Sequence, residues 1–424
     1  MIGNLASLTA SQRAVFQRFQ QAPTREPENT VVDTVSCDPQ AKFRPPAEAV
    51  SFMADFDAQL GISSEMRDEK RKLMAEDSHS FFRASPALFY HDLKTTYRNS
   101  ARLLNQPSPT VAILGDAHTK NAGTFRGPDG KTVWGLNDFD QAENGPAEWD
   151  LERLGVSLYV AARGEGESPC DALKLVERMG RSYIDHLGEE GPSYFHEKEV
   201  SGPIDDLIEE AESVSQDDLL EKWTTDGKTR LKRDDKLMEI DGNRGRKVQQ
   251  ALEQTFPDYK FLDTASKPHS GGSTRGLERY YSLVTSPDRK EPWLLETKAV
   301  LPSPVQIADG DLGRGDGAKV LHFWKEMGGH TDERHRSFRL GNVAYFTRER
   351  EKEKDSLKES PENLEASAGA LGQLLARAHS RSGADIRGWI GNQEDKFLSK
   401  LMRFSRTYAR QVESDFREWQ SRYG

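Results

Sequence analysis

Two acidic stretches on either side of a predicted β-hairpin carry the side chains best suited to chemistry. Asp116 follows the β-branched and apolar run 110–114, which predicts a buried strand that ends at Gly115. Asn121 follows, and after a Gly-Pro-Asp-Gly turn the run 131–136 leads into Asp138 and Asp140. Phosphoryl transfer from ATP needs a carboxylate to orient the attacking hydroxyl, and an amide oxygen and a second carboxylate to hold Mg²⁺. This stretch supplies that set.

A simpler interpretation competes with this one, because an Asp that follows a strand is usually a turn or cap residue. Here, however, two acidic motifs flank one hairpin, and a third aspartate, Asp150, opens an apolar helix whose stripe begins at Leu151. That combination favours a catalytic arrangement.

The same stretch resembles the catalytic loop of aminoglycoside-phosphotransferase-like members of the protein-kinase-like superfamily, whose motifs are G-D-x-H-x-x-N, D-F-D/E and D-P-x-x-D-L. The first motif is matched by Gly115, Asp116, His118 and Asn121, the second by 138–140, and the last in part by 150–151. Together with 81–83 (Phe-Phe-Arg) and 375–379 (Leu-Ala-Arg-Ala-His), it also resembles the bacterial domain-of-unknown-function family 2252, over about residues 74–419. The resemblance implies a kinase-like fold, with Asp116 and His118 as catalytic residues. It also implies that Asp150 braces the loop that carries Asp116 rather than acting chemically.

A glycine-rich turn and a strand lysine come later in the chain. Residues 270–276 (Ser-Gly-Gly-Ser-Thr-Arg-Gly) precede a predicted strand at 277–284, and a second predicted strand, 293–300, contains Lys298. A glycine-rich hairpin followed by a strand lysine is the order of a kinase small lobe, where backbone amides and the lysine contact phosphates. The predicted nucleotide-binding residues are therefore Gly271, Gly272, Ser273, Thr274, Gly276 and Lys298, with Glu326 as the acidic partner of the lysine and His322 as the competing residue at that place.

The order of these parts is unusual, because Lys298 follows Asp138 by 160 residues, whereas in an ordinary kinase the lysine comes first. The helix predicted at 364–380 ends in a sequence that resembles the L-A-x-x-H helix preceding the catalytic loop in aminoglycoside-phosphotransferase-like kinases. Joining that helix to Thr110 would restore the usual order. We therefore predict an α+β, protein-kinase-like two-lobed fold that is circularly permuted, with extra N-terminal and C-terminal helices.

Four regions follow from this prediction. Residues 1–105 form an N-terminal arm and helical region, and 106–260 form the large lobe with the catalytic loop. Residues 261–360 form the small lobe with the glycine-rich loop, and 361–424 form C-terminal helices that complete the large lobe. The length of 424 residues suits about two lobes.

Composition excludes several classes of protein. A net charge of -10 disfavours nucleic acid as the main partner, and two cysteines exclude a disulfide scaffold or a four-cysteine zinc site. Neither a long apolar window nor a secretion signal is present, so we expect a cytoplasmic protein without a membrane partner. Export as an effector by a route that leaves no apolar signal stays open.

The predicted function is ATP- and Mg²⁺-dependent phosphotransfer to a hydroxyl of an unidentified small molecule or protein. Asp116 would orient the hydroxyl, Asn121 and Asp138 would hold Mg²⁺, and Asp140 would bind a second metal or cap a turn. Two alternatives use the same site: transfer of AMP from a nucleotide bound in reverse, or nucleotide binding by a pseudokinase-like regulator. A metal-dependent hydrolase is disfavoured, since His118 has no histidine four residues on.

Overall fold

The computed structural model describes residues 35–38, 42–60, 62–240, 242–269, 274–329, 332 and 334–424. It confirms a mixed α+β fold with small antiparallel sheets. Residues 1–34 of the predicted N-terminal arm, and Gly271, Gly272 and Ser273 of the glycine-rich turn, lie outside the described residues.

The helices are numbered here in chain order over the described residues. They are α1 Pro46–Gln59, α2 Ser64–Met74, α3 Ser78–Ala84, α4 Pro86–Lys94, α5 Ala147–Gly164, α6 Pro169–Asp185, α7 Pro203–Ser213, α8 Gln216–Trp223, α9 Gly242–Thr255, α10 Pro304–Ala308, α11 Gly317–Gly328, α12 Pro361–Ser380, α13 Ile386–Ile390 and α14 Glu394–Tyr423. A 3-10 turn spans Asp226–Lys228.

The strands form three antiparallel sheets, with neighbours β1-β4, β2-β3-β5 and β6-β7-β8-β10-β9. Their bounds are β1 Thr110–Ile113, β2 Ala122–Arg126, β3 Thr132–Leu136, β4 Glu143–Pro146, β5 Tyr194–His196, β6 Lys260–Ser266, β7 Arg279–Ser286, β8 Arg289–Val300, β9 Arg336–Leu340 and β10 Val343–Glu349. The predicted hairpin is therefore present as β2–β3, with Ala122 opposite Leu136.

One large core joins the helical parts of the chain. The helix α14 packs along α5 and α6 and also meets α1 and α3, while α12 packs against α6. Leu151, Leu154 and Leu158 of α5 are buried at the centre of this core, as their helical spacing predicts. The N-terminal helices and the C-terminal helix thus belong to the same packed body as the acidic hairpin.

A buried charge network fastens the chain before α1 to this body. The Arg44 guanidinium donates to Asp92 on α4 at 2.8 Å and to Asp415 on α14 at 2.6 Å, and all three side chains are buried. Tyr408 adds a hydrogen bond to Asp92 at 2.9 Å. Since a buried charge is costly without partners, this network fixes residues 42–45 firmly to both helices.

The five-stranded sheet has two different faces. One face packs Trp293, Leu295 and Tyr345 against α9, which contributes Val248 and Leu252. The opposite face carries Lys298 and Glu296 and is turned toward the acidic hairpin. The helix α11, inserted between β8 and β9, packs beside this second face. No helix in the described part of the chain has the length and apolar character needed to span a membrane.

Candidate active site

The loop that carries Asp116 is shaped by a glycine and held by a buried aspartate. Gly115 has φ +71°, and a Cβ at this position would lie 2.0 Å from the carbonyl oxygen of Gln141. The Asp150 carboxylate accepts hydrogen bonds from the backbone N–H groups of Leu114 at 2.6 Å and Gly115 at 3.3 Å. Asp150 is fully buried, so it acts as a structural brace for the loop, as the sequence predicts.

The helix that ends in the L-A-x-x-H sequence reaches the same brace. His379 Nε2 lies 3.3 Å from Asp150 Oδ2, and the other ring nitrogen of His379 meets the Tyr183 hydroxyl at 2.9 Å. The helix α12 also packs against β1. The end of α12 and the start of the Asp116 loop are therefore adjacent in space although 229 residues separate the two contacting side chains.

Asp116 is buried and paired with an arginine. Its Oδ1 accepts hydrogen bonds from Arg153 Nε at 2.9 Å and Nη2 at 2.5 Å. Burial raises the pKa of Asp116 to about 6, against the opposing effect of the Arg153 charge. The carboxylate is consequently ionised at neutral pH and protonated in mild acid.

His118 is held as a neutral ring beside Asp116. Its Nδ1 accepts the backbone N–H of Lys120 at 3.1 Å, and its Nε2 lies 3.8 Å from Asp116 Oδ2. Burial lowers the pKa of His118 well below its usual value, and the nearby charges of Arg83 and Arg153 lower it further. His118 is therefore positioned near the carboxylate without forming a hydrogen bond to it.

Asn121 and Asp138 lie at the two ends of the β2–β3 hairpin. Asn121 Nδ2 donates to the Asp116 carbonyl at 2.6 Å, which leaves the amide oxygen as the free end of the side chain. The backbone N–H of Asn137 donates to the Asn121 carbonyl at 3.2 Å, so Asp138 begins directly beside Asn121. The hairpin thus brings together Asp116, Asn121 and Asp138, which are the three residues predicted from their spacing.

The lysine of the five-stranded sheet meets the acidic motif. Lys298 Nζ lies 2.7 Å from Asp140 Oδ2, and the two residues are 158 positions apart in the chain. Burial alone would raise the pKa of Asp138, but the charges of Lys298 and Arg348 reverse this and lower it below its usual value. Between the two carboxylates lies Phe139, which is fully buried and packs its ring 4.8 Å from that of Trp324 on α11.

Asp140 retains an oxygen that suits a cation. Its Oδ1 is buried and has no hydrogen-bond partner among the described residues, while Oδ2 is taken by Lys298. The described residues contain no group of three or more His, Cys, Asp or Glu side chains that could hold a metal by themselves. Magnesium commonly takes only one or two carboxylates and completes its shell with phosphate and water, so Asp138, Asp140 and the Asn121 amide fit it.

The chain matches the family DUF2252, described as "Uncharacterized protein conserved in bacteria", over residues 64–422. It belongs to this family. Neither a curated protein nor a solved structure matches the chain. The match covers every element from α2 to α14, so the family's shared region includes the acidic hairpin, the sheet with Lys298 and the helix that reaches Asp150.

The predicted partner of Lys298 is not the one that the structure provides. Glu326 on α11 pairs with His322 on the same helix at 2.9 Å, and it is partly exposed. Lys298 instead pairs with Asp140. The pairing of Glu326 and His322 follows from their spacing of four residues on one helix, which makes them neighbours on its surface.

The flanks of the glycine-rich turn are tied to the N-terminal helices. Gly276 has φ +85° and lies so close to Ile62 and Met66 that a Cβ would be 2.6 Å from the Ile62 side chain. Glu69 Oε2 on α2 lies 2.7 Å from His269 Nδ1 and 3.4 Å from Arg275 Nη1. Thr274 is the first described residue after 270–273, and its carbonyl accepts a hydrogen bond from the N–H of Leu277.

Several charged residues of the site were not predicted. Glu296, two positions before Lys298 on β8, shares its face of the sheet and binds Arg348 at 3.0 Å and Arg279 at 3.2 Å. The two-residue period of a strand is the signal that could have identified it. Arg153 lies three residues after Asp150 on α5. Its position among the apolar residues of a buried helix is the sequence feature that could have identified it.

Proposed function

We propose that the protein is an ATP- and Mg²⁺-dependent phosphotransferase that acts on a hydroxyl of an unidentified small molecule or protein. The observation that carries this proposal is the contact between Lys298 and Asp140. It brings a strand lysine to an acidic hairpin whose other end presents Asp116. A carboxylate for the acceptor, a metal-binding pair and a lysine for phosphate are the parts that phosphoryl transfer requires.

The fold proposed with this function is a circularly permuted kinase-like fold. Two observations support it. The helix α12 approaches the Asp116 loop through His379 and Asp150, which is the neighbour relation that the permutation requires. The five-stranded antiparallel sheet carries Lys298 on β8, and the helices α10 and α11 follow this strand before β9, as a helix follows the lysine strand in a kinase small lobe.

Within this proposal, Asp138, Asp140 and the amide oxygen of Asn121 would hold Mg²⁺. When bound, the ion would neutralise the charge of the phosphates. Lys298 would contact the phosphates while it stays close to Asp140. The chain's own contribution is to fix these donors at the ends of a hairpin that is packed through Phe139 and lies beside the loop braced by Asp150.

Asp116 would accept the proton of the acceptor hydroxyl. The acceptor oxygen forms a bond to the γ-phosphorus, the bond from that phosphorus to the bridging oxygen breaks, and ADP leaves with the electron pair. Arg153 holds Asp116 in one orientation by two hydrogen bonds, which favours reaction because the carboxylate need not be ordered in each turnover. His118 is neutral and would contact the acceptor rather than compete for its proton.

A second function on the same site is transfer of AMP, and one observation favours it. Glu296 and Arg348 are buried and form a charged group with the partly buried Arg279 on the face of the sheet beside Lys298, and Glu296 stands two residues before the lysine. The kinase motif V-A-I-K has a small alanine there, which leaves room for a base. Arginine side chains bind phosphates better than they accommodate a base. A nucleotide bound in reverse would therefore have its phosphates beside these arginines and its α-phosphate near Asp138.

The test uses ATP labelled either at the γ- or at the α-phosphate, with cell extract as the source of acceptors. Phosphotransfer predicts a product labelled only from the γ-position, whereas AMP transfer predicts one labelled only from the α-position. Asp138→Asn and Lys298→Met should each reduce labelling by about 10² to 10³. Lys325→Met, an exposed lysine on α11, is the matched control and should leave labelling unchanged.

Binding distinguishes an enzyme from a regulator that only holds nucleotide. We expect Mg²⁺ to strengthen ATP binding, since carboxylates alone repel a triphosphate, and EDTA to weaken it, measured as a shift of the melting temperature. ATP binding that is independent of Mg²⁺ and without any labelled product would favour the pseudokinase-like regulator. Full labelling by both variants would contradict the site assignment.

A further inference from the structure

A cavity of about 370 Å³ lies behind the acidic hairpin, outside the group of Asp116, Asp138 and Lys298. Its walls come from the end of β2 and the turn after it, from Trp324 of α11 together with Asp332, Arg334 and His335, and from the end of β10 and the residues that follow it. Asn137 separates it from the acidic motif, because this residue lines the cavity and directly precedes Asp138. The volume is within the range of small-molecule sites.

Three arginines on the cavity wall already have carboxylate partners. Arg126 binds Glu349 at 2.7 Å, and Arg334 lies 3.3 Å from the same carboxylate. Arg348 is paired with Glu296 and also donates to the carbonyl of Asn137 at 3.2 Å. These residues therefore define a rigid polar wall in which positive charge is mostly balanced.

Lys354 differs from these arginines. It lines the cavity, and no ion pair joins its side chain to a carboxylate of the described residues. Burial lowers the pKa of Lys354 well below its usual value, and the neighbouring charge of Arg348 lowers it further. An anion placed between Lys354 and Arg348 would supply the missing counter-charge and restore the ammonium form.

The remaining wall is partly aromatic. The rings of Trp324 and His335 have centroids 4.6 Å apart and planes tilted by 58°, and Phe125 lines the cavity from β2. Glu351, whose pKa burial raises to about 7, accepts the backbone N–H of Arg126 at 3.0 Å at the edge of this wall. A ligand with an anionic group and a planar ring would match both halves of the cavity.

We propose that this cavity is a binding site for a small organic anion that carries a planar ring, with its phosphate or carboxylate held by Lys354 and Arg348. The site borders the nucleotide cleft of the proposed phosphotransferase, since Arg348 and Lys354 act electrostatically on Asp138, but neither Asp138 nor Lys298 lines it. The proposal depends on the cavity and its unbalanced lysine, and it stands whether or not the protein transfers phosphate.

Phenyl phosphate is the probe, since it joins a planar ring to a phosphate and contains no nucleobase. Isothermal titration of the full chain should detect binding, with inorganic phosphate bound at least tenfold more weakly because it lacks the ring. Lys354→Met should weaken phenyl phosphate binding by at least tenfold, and Lys354→Arg should restore most of it. The matched control is Lys352→Met, because Lys352 Nζ is bound to the Val214 carbonyl at 2.6 Å.

Competition separates this site from the nucleotide cleft. Titration in the presence of a saturating non-hydrolysable ATP analogue and Mg²⁺ should still detect phenyl phosphate binding, because neither Asp138 nor Lys298 lines the cavity. Failure to bind phenyl phosphate, binding that persists in folded Lys354→Met, or full displacement by the ATP analogue would each overturn the proposal. A protein that binds phenyl phosphate but no Mg·ATP would instead contradict only the phosphotransferase proposal.

Discussion

At the scale of single residues, Asp116 is proposed to contact the acceptor substrate although its side chain is buried. Because burial raises its pKa to about 6, the carboxylate form that accepts a proton predominates only above that pH. We expect ATP consumption to fall about tenfold per pH unit below pH 6 and to level off above pH 7. A pH–rate profile measures this, with melting temperatures at each pH to exclude unfolding. A flat profile between pH 5 and pH 7 would rule out Asp116 as the base.

Arg153 gives a second prediction at this scale. Its guanidinium is fully buried, donates twice to Asp116 and lies 4.4 Å from the centre of the Phe82 ring. Replacing it by methionine leaves the Asp116 carboxylate buried without its partner, which should lower the free energy of unfolding by about 3 to 5 kcal/mol.

Urea denaturation measures the effect of Arg153→Met. The control is Arg178→Met, an exposed arginine that pairs with Glu365 on the surface, which should change stability by less than about 1 kcal/mol. Equal effects of the two substitutions would show that the Arg153 pair contributes no more than a surface ion pair.

At the scale of secondary-structure elements, Asp150 connects α5, the loop after β1 and α12. Asp150→Asn keeps the shape of the side chain but replaces one carboxylate oxygen by an N–H₂ group. That group would face the N–H of Leu114 or Gly115, or the ring of His379, so at least one buried hydrogen bond is lost. We expect a loss of about 2 to 4 kcal/mol of stability and a further loss of turnover from the displaced loop.

Chemical denaturation and ATP consumption of Asp150→Asn test this together. Asp68→Asn provides the comparison, since Asp68 is exposed and pairs with Arg71 only along the surface of α2. That variant should be unchanged within about 0.5 kcal/mol. Wild-type stability of Asp150→Asn would mean that the brace does not hold the loop.

At the scale of the whole molecule, buried carboxyls set the dependence of stability on pH. Burial raises the pKa of five of them: Asp116 to about 6, Glu148, Glu351 and Asp415 to about 7, and Glu152 well above its usual value. Between pH 5.5 and about 7 the folded chain therefore binds more protons at these groups than the unfolded chain. Their contribution to stability falls as the pH rises through this window.

Two buried bases act in the opposite direction. The lowered pKa values of His118 and Lys354 make the unfolded chain bind more protons at these groups, so their contribution rises with pH. Since the raised carboxyls are more numerous, we expect the free energy of unfolding to be lower at pH 7.5 than at pH 5.5. Urea titrations at the two pH values measure this.

A matched variant tests the cause. Both carboxylate oxygens of Glu152 are buried without a hydrogen-bond partner among the described residues, so Glu152→Gln should reduce the difference between pH 5.5 and pH 7.5. An unchanged difference in this variant, or greater wild-type stability at pH 7.5, would contradict the assignment.

The sequence by itself determined the local arrangement of the site. The apolar run before Gly115, the Gly-Pro-Asp-Gly turn at 127–130 and the run before Asp138 predicted a strand and a hairpin, because these depend on residues close together in the chain. Helical spacing likewise predicted α12, and the hydrogen bonds of Asp150 agree with its predicted role as a brace. The catalytic and nucleotide-binding roles of these residues stay predictions.

Only the tertiary structure decided which charged groups meet. Asp140, rather than Glu326, pairs with Lys298, and Arg153 pairs with Asp116. Periodicity shows which face of an element a side chain occupies, but not which distant element covers that face. Partners separated by 158 residues are selected when the core closes, since burying a charge is tolerated only where the packed chain supplies an opposite one.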